Sequence, residues 1–275
     1  MYVYTLQASS VTMAHGGPEI DRPKEKATHT RPGRFIIGSI GPHVSPQRWP
    51  LSAVPWGTPI QLNNRKELEV KLQGKWVLLS TLPGWRELFP NDPAGATAAF
   101  VKEYNKLMFH LRVSVYGLPS QQKMPAPWNG QFPTTWTVGD FGQIAIKYFA
   151  DLNGNRKLDG KEYLLSDFIH TTASDELETI ISQRIDPVRP MTLVESHGCI
   201  HMVPTVLQNW VARGVLAVGR TIEVHSYQEE TMPPTFERKT GQPGTEIHFY
   251  PKVEGIGLYV VTKKQAGHPL HPPHG

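Results

Sequence analysis

A single cysteine, Cys199, stands among 275 residues, so no disulfide can form within the chain and cysteine usage does not separate a reducing compartment from an oxidising one. No apolar run approaches the roughly 18 residues of a membrane-spanning helix, so no membrane span is expected. Nucleic acid is not expected as a partner either. There is no block of Lys and Arg or basic helix, and the net charge of +4 is only mildly basic. The N-terminal Met1–Gln7 lacks the basic start and unbroken apolar run of a secretory leader. No internal repeat marks a solenoid or propeller. Proline and glycine, by contrast, are plentiful at 25 and 24 residues and predict many turns. With 39% hydrophobic and 19% charged residues, the chain is that of a core-forming protein of one large domain with additions.

Short strands dominate the pattern. Residues 2–13 read as an opening strand ended by His15-Gly16-Gly17-Pro18, and Arg31–Gly38 as a turn feeding an apolar strand. Residues 66–79 alternate around Gln73-Gly74, which predicts a hairpin. Asp92-Pro93 reads as a cap and first residue of a helix over 93–110, where Phe100, Val101, Tyr104, Leu107 and Met108 fall at helical spacing. A proline-rich connector covers 117–135. Its Trp128, with Trp136 just beyond, would either line a groove or pin the loop to the core, and the core reading is favoured. Strands are expected at 143–150, 164–171 and 215–224, with helices from a Ser174 cap to Ile185 and from Pro204 to a Gly214 stop. A hairpin of 246–250 and 258–261 lies in the proline-rich tail, which ends in His268, His271 and His274.

Two stretches carry chemistry. The first is Glu195-Ser196-His197-Gly198-Cys199-Ile200-His201-Met202. A lone thiol is by default a small buried hydrophobe. A histidine two positions away favours the reactive thiolate, and the intervening glycine admits a tight turn and close approach of a substrate. A thiol attacking an acyl carbon needs a base, a group that orients the base, and oxyanion donors. His170, closing the strand before it, is the candidate base. The carbonyl or hydroxyl of Thr171 would fix its tautomer, and the amides of Gly198 and Cys199 would supply the oxyanion donors. His197 is either a rival base or an inward-turned side chain holding the loop. The second stretch is 151–162, where Asp151, Asn153, Asn155, Asp159 and Glu162 occupy positions 1, 3, 5, 9 and 12 of an EF-hand-like calcium loop. Arg156 stands where such a loop needs glycine, and the flanks read as strands. A polar hairpin turn is therefore the favoured reading, with calcium as its rival; no other cofactor or metal is expected.

Ser196-His197-Gly198-Cys199 followed by an apolar residue resembles the signature of bacterial L,D-transpeptidases with the YkuD-type catalytic domain. Arg31-Pro32-Gly33-Arg34-Phe35-Ile36-Ile37 resembles the family's Thr-Pro-x-Gly-x-Phe strand, Ile169-His170-Thr171 its Ile-His-Gly/Ser segment, and Val218–Val224 its closing Gly-Thr-x-Val strand. The resemblance spans about residues 2–225. It implies a mainly β (α+β) sandwich or barrel-like catalytic fold with a few peripheral helices and long loops. It also implies a cysteine acyl-enzyme and peptidoglycan stem peptides as substrate. Carried over residue by residue, it makes Cys199 the nucleophile, His170 the base, Thr171 the orienting group and His197 a motif histidine. Ser196, Gly198 and His201 would border the oxyanion and substrate pocket.

The sequence departs from that family in three ways. His201 stands where the family usually has Arg or Asn, the interval from His170 to Cys199 is longer, and residues 40–140 carry inserted loops. The expected organisation is a catalytic domain over 1–226 and a C-terminal extension over 227–275 with a hairpin and a disordered end. Such an enzyme acts in the periplasm or cell envelope. Without a visible leader, it is expected to be either a leader-trimmed wall enzyme or a secreted antibacterial effector, whose partners would include secretion machinery and an immunity protein. The rival readings are a silent wall-binding or calcium-binding module and a Cys-His peptidase of another fold.

Overall fold

The computed structural model describes residues 2–5, 14–116, 132–185, 191, 193–230, 246–252 and 258–262. It is a mixed α+β protein, mostly sheet with few helices. Its elements run β1 (Tyr2–Thr5), β2 (Ala14–His15), β3 (Gly33–Gly41), β4 (Ile60–Leu62), β5 (Leu68–Leu72), β6 (Lys75–Leu78), α1 (Trp85–Leu88), α2 (Pro93–Tyr116), β7 (Ala145–Phe149), β8 (Phe168–His170), α3 (Ala173–Ile185), β9 (Ile200–Met202), α4 (Pro204–Ala212), β10 (Thr221–Val224), β11 (Glu246–Phe249) and β12 (Leu258–Thr262). Nine strands form one sheet in the order β1-β12-β11-β10-β3-β7-β8-β9-β2, and β4-β5-β6 form a separate small sheet.

Strand alternation builds the first core. Phe35 and Ile37 of β3, Ile146 and Tyr148 of β7, Ile169 of β8, Ile200 of β9 and Ile222 of β10 pack together with Leu207 and Trp210 from α4. Because side chains alternate across a strand, burying Ile169 and Ile200 on the core face sends their neighbours in sequence to the other face. β8 and β9 run parallel with Ile169 opposite Ile200 and His170 opposite His201. A parallel pair needs a crossover, which α3 provides. The two core isoleucines thus set the register of the two histidines.

The hairpin expected at Gln73-Gly74 forms as β5–β6, with both turn residues at positive φ (49° and 80°), as a two-residue I′ turn requires. The Asp92 cap is also present, its Oδ1 accepting from the Gly95 N–H at 2.8 Å. Together with β4 and Trp136, these elements close a second core of Leu68, Val70, Trp85, Phe100 and Trp136. Region 40–140, expected as long inserted loops, therefore holds a packed lobe, and its α2 meets α3 of the main sheet. Trp136 is buried with its indole N–H donating to the Leu51 carbonyl at 3.1 Å, in agreement with the core reading; Trp128 lies outside the described residues.

Some boundaries move. The cap of α3 is Thr172 rather than Ser174: its hydroxyl accepts from Asp175 N–H at 3.2 Å, and the Asp175 carboxylate accepts from Thr172 N–H at 3.3 Å. That reciprocal pair is a capping box. Strand structure covers only 168–170 of the expected 164–171, and only 221–224 of 215–224, because turns at 215–219 precede β10. Of the expected opening strand over 2–13, 2–5 is strand and 6–13 lie outside the described residues; β2 at 14–15 follows where the strand was expected to end. The C-terminal hairpin forms as β11–β12, but it is no appendage: β11 pairs in parallel with β10, and β12 pairs with β1. A boundary at 226 would cut through the sheet. The tail histidines His268, His271 and His274 lie outside the described residues.

Candidate active site

Cys199 enters β9 directly after the Gly198 turn, on the face of β8 and β9 opposite the core. Its Sγ accepts from the Phe168 backbone N–H at 3.4 Å. Two residues along β8, the His170 ring lies edge-on to His201, centroids 4.8 Å apart, and against Phe141 at 4.7 Å. His170 Nδ1 donates to the Thr171 carbonyl at 2.8 Å. A carbonyl can only accept, so the proton sits on Nδ1 and Nε2 is left as the basic nitrogen. The orienting group is thus the carbonyl of Thr171, while its hydroxyl donates to Glu176 Oε1 at 2.5 Å. Buried Glu176 also accepts from Gln143 N–H and from the side-chain amides of Gln143 and Gln208, which anchors the Thr171 corner. Among the described residues, no hydrogen bond joins His170 to Cys199. Such contacts often tighten only when substrate binds.

Electrostatics keep this face neutral. Burial pushes the Cys199 thiol up to about 11, reinforced by the nearby Asp167 carboxylate and opposed by the Phe168 N–H and Arg48. Burial also drives His170 down to about 3, helped by His201 and His43, while its bond to Thr171 works the other way. The favouring of thiolate by His197, expected from spacing, is therefore not seen. The site holds a thiol and a neutral imidazole. His201, buried and held by the Val194 carbonyl at 2.9 Å, is likewise depressed by desolvation.

The loop is fastened from a stretch that sequence reading passed over as a strand end and polar linker. Ser196 N–H donates to the Gly16 carbonyl at 3.0 Å, Thr28 Oγ1 donates to the His197 carbonyl at 3.1 Å, and Thr30 Oγ1 donates to the Cys199 carbonyl at 3.4 Å. Tyr227 OH closes the clamp by donating to the Gly17 carbonyl at 2.7 Å. The Gly16-Gly17 dipeptide was the legible signal: a Cβ on Gly17 would lie 2.2 Å from the Thr28 carbonyl and 2.9 Å from the Gly198 nitrogen. Gly198 itself sits at φ +123°, and a Cβ there would meet Thr28 Oγ1 at 2.6 Å. Gly198→Ala is therefore expected to cost about 1–3 kcal/mol in chemical denaturation, from strain at a glycine-only conformation. An unchanged midpoint would show that the loop relaxes freely.

The remaining candidates divide. Ser196 Oγ accepts from Gly198 N–H at 3.0 Å and donates to the Cys199 carbonyl, so it shapes the turn. Gly198 N–H is thereby engaged, and only a change of partner would free it as an oxyanion donor. His197 is exposed rather than turned inward, and its carbonyl is the part that serves the loop. His201 lies in a row across three strands, paired with His15 on β2 and His170 on β8. His43 was not anticipated at all. It is buried between Phe141 and Phe168 (centroids 4.2 and 4.9 Å), with neither ring nitrogen hydrogen-bonded.

The 151–162 loop lies apart from this group. Asp159 accepts from the Asn153 and Asn155 side-chain amides, Glu162 from the N–H groups of Leu152 and Asp159, and Asp151 Oδ2 from the Arg156 N–H. Arg156 adopts φ +61°, the left-handed turn usually left to glycine, and its guanidinium donates to the Gly219 carbonyl. The loop's oxygens are largely occupied by its own donors, as in a polar turn. No family model, curated protein or solved structure matches the chain.

Proposed function

We propose that the protein is a cysteine acyl-transferase acting on peptidoglycan tetrapeptide stems, with a YkuD-type L,D-transpeptidase catalytic fold. One observation carries the reading: on adjacent parallel strands, a thiol and an imidazole share one face, and the imidazole is fixed by the Thr171 carbonyl in the tautomer that makes Nε2 a base. The Ser-His-Gly-Cys resemblance supplies the substrate class.

In the first step Cys199 Sγ attacks the carbonyl carbon before the terminal D-alanine as its proton passes to His170 Nε2. The tetrahedral intermediate collapses with cleavage of the C–N bond, and His170 returns the proton to the leaving amine. The resulting thioester is then taken by an amine, giving a crosslink or an exchanged D-amino acid, or by water, giving an L,D-carboxypeptidase. The same chemistry serves wall remodelling or attack on a rival's wall. A neutral resting pair suits this sequence, because the thiol loses its proton only as the bond to carbon forms.

Incubation with tetrapeptide muropeptides should release one D-alanine per turnover, and a carbapenem should leave a stoichiometric acyl adduct on Cys199 by mass spectrometry. Absence of both with correctly folded protein would reject the assignment.

A further inference from the structure

Away from Cys199, on the β10–β11 side of the sheet, Glu223, His225 and His248 bring three ligand atoms within 4.8 Å of one another. Their placement follows from the strands. Glu223 and His248 are register partners in the parallel β10–β11 pair, and His225 continues β10, its N–H donating to the Phe249 carbonyl at 2.8 Å. His225 Nε2 lies 2.9 Å from His248 Nδ1, and that atom lies 3.8 Å from Glu223 Oε2. An ion with ligand bonds near 2.0–2.2 Å in tetrahedral geometry needs donor atoms about 3.3 Å apart, which these spacings bracket. Both imidazoles are buried, and the Tyr250 ring stacks on His225 at 3.7 Å.

The surrounding hydrogen bonds are those of a metal site. His225 Nδ1 donates to Glu229 Oε2 at 2.9 Å, so its Nε2 carries a lone pair toward His248. A ligating histidine commonly hands its second N–H to a carboxylate in this way. Arg34 Nη1 donates to Glu223 Oε2 at 3.0 Å and orients that carboxylate. Two imidazoles with one carboxylate suit a borderline ion better than calcium or magnesium, which favour all-oxygen sets.

We propose that Glu223, His225 Nε2 and His248 Nδ1 form a binding site for a zinc-class divalent ion. On binding, His248 shifts its proton from Nδ1 to Nε2. The site is structural: the ion ties β10, β11 and the 225–229 turn together, and that turn carries Tyr227, whose hydroxyl clamps the Gly17 carbonyl beside the catalytic loop. The inference is independent of the reaction assigned to Cys199.

The test uses the full chain with His268, His271 and His274 replaced by alanine, stripped with chelator and titrated with zinc by calorimetry. One ion per chain, a higher melting temperature with zinc, and retention of both by Cys199→Ala are expected. Glu229→Gln should weaken binding by about 10-fold or more through the lost support of His225. His225→Ala, checked for folding by circular dichroism, should remove stoichiometric binding. No binding by the parent chain, or binding of equal strength in both His225→Ala and Glu223→Gln, would overturn the proposal. So would a preference for calcium over zinc.

Discussion

Cys199→Ala will abolish D-alanine release from tetrapeptide stems, a loss of at least about a thousand-fold, while the melting temperature stays close to that of the parent. Cys199 is the only thiol in the sequence. Cys199 contributes one half-buried sulfur to an interface already held by Gly16, Thr28 and Thr30. His170→Ala will lower the rate by about 10²–10⁴-fold, the usual worth of a positioned base. The pH profile separates this mechanism from a preformed ion pair. A thiolate–imidazolium pair would give a bell with limbs set by the two groups near neutrality. Here the imidazole is basic above about 3 and the thiol intact below about 11, so activity should be nearly flat across neutral pH. Alkylation of Cys199 by iodoacetamide in the absence of substrate needs thiolate itself. It should be slow at pH 7 and rise tenfold per pH unit toward 11. Rapid alkylation at pH 7 would refute the neutral pair.

The second large effect is a loss of stability in acid that begins below about pH 6.5, above the carboxylate range. His170 is held near 3 and His43 near 4, and His15, His201 and His225 are also depressed, in every case chiefly by burial. An unfolded chain binds these protons with ordinary histidine affinity near 6.5 while the folded chain does not. Stability is therefore complete above 6.5 and falls as pH drops toward 4 and 3, at about 1.4 kcal/mol per histidine for each unit of separation. Against a total of about 5–15 kcal/mol, His170 and His43 together remove a large share of the stability as pH falls from 6.5 to 3. At the other end, the raised thiol makes the folded chain the tighter proton binder between 9 and 11, so stability falls there as pH rises. Denaturant midpoints across pH 3–11 check both limbs. A midpoint unchanged between pH 7 and 4 would mean that these imidazoles are protonated in the fold. His43→Phe should shift the acid limb downward, since Phe141 and Phe168 already pack that ring.

Much of the site's local structure was written in short stretches. The Gln73-Gly74 hairpin, the Asp92 cap of α2 and the Pro204 start of α4 each depend on residues within a few positions of one another. Ser196-His197-Gly198-Cys199 names its own turn, because glycine alone tolerates the backbone there. That His170 closes a strand was also legible, but the parallel strand beside it, β9, was not read from Ile200-His201-Met202. Expectations failed where a contact crosses the chain. Spacing put His197 beside the thiol, but the clamp from Thr28 takes its carbonyl and leaves its ring outside. Ser174 looked like a cap until Thr172, one residue nearer β8, took the role.

The sequence by itself determined the strand-rich class and the helices, and it singled out one thiol and one histidine as candidates for chemistry, because alternation, caps and glycine turns are local properties. Only the tertiary structure decided how those groups behave. Burial is a property of the whole packed sheet, and it turned an expected thiolate into a neutral thiol. Sheet order likewise brought β11 beside β10, joining Glu223 and His225 to His248 across an interval that no spacing rule connects. Gly16-Gly17 and Tyr227, over 200 positions apart, became one clamp on the Cys199 loop for the same reason.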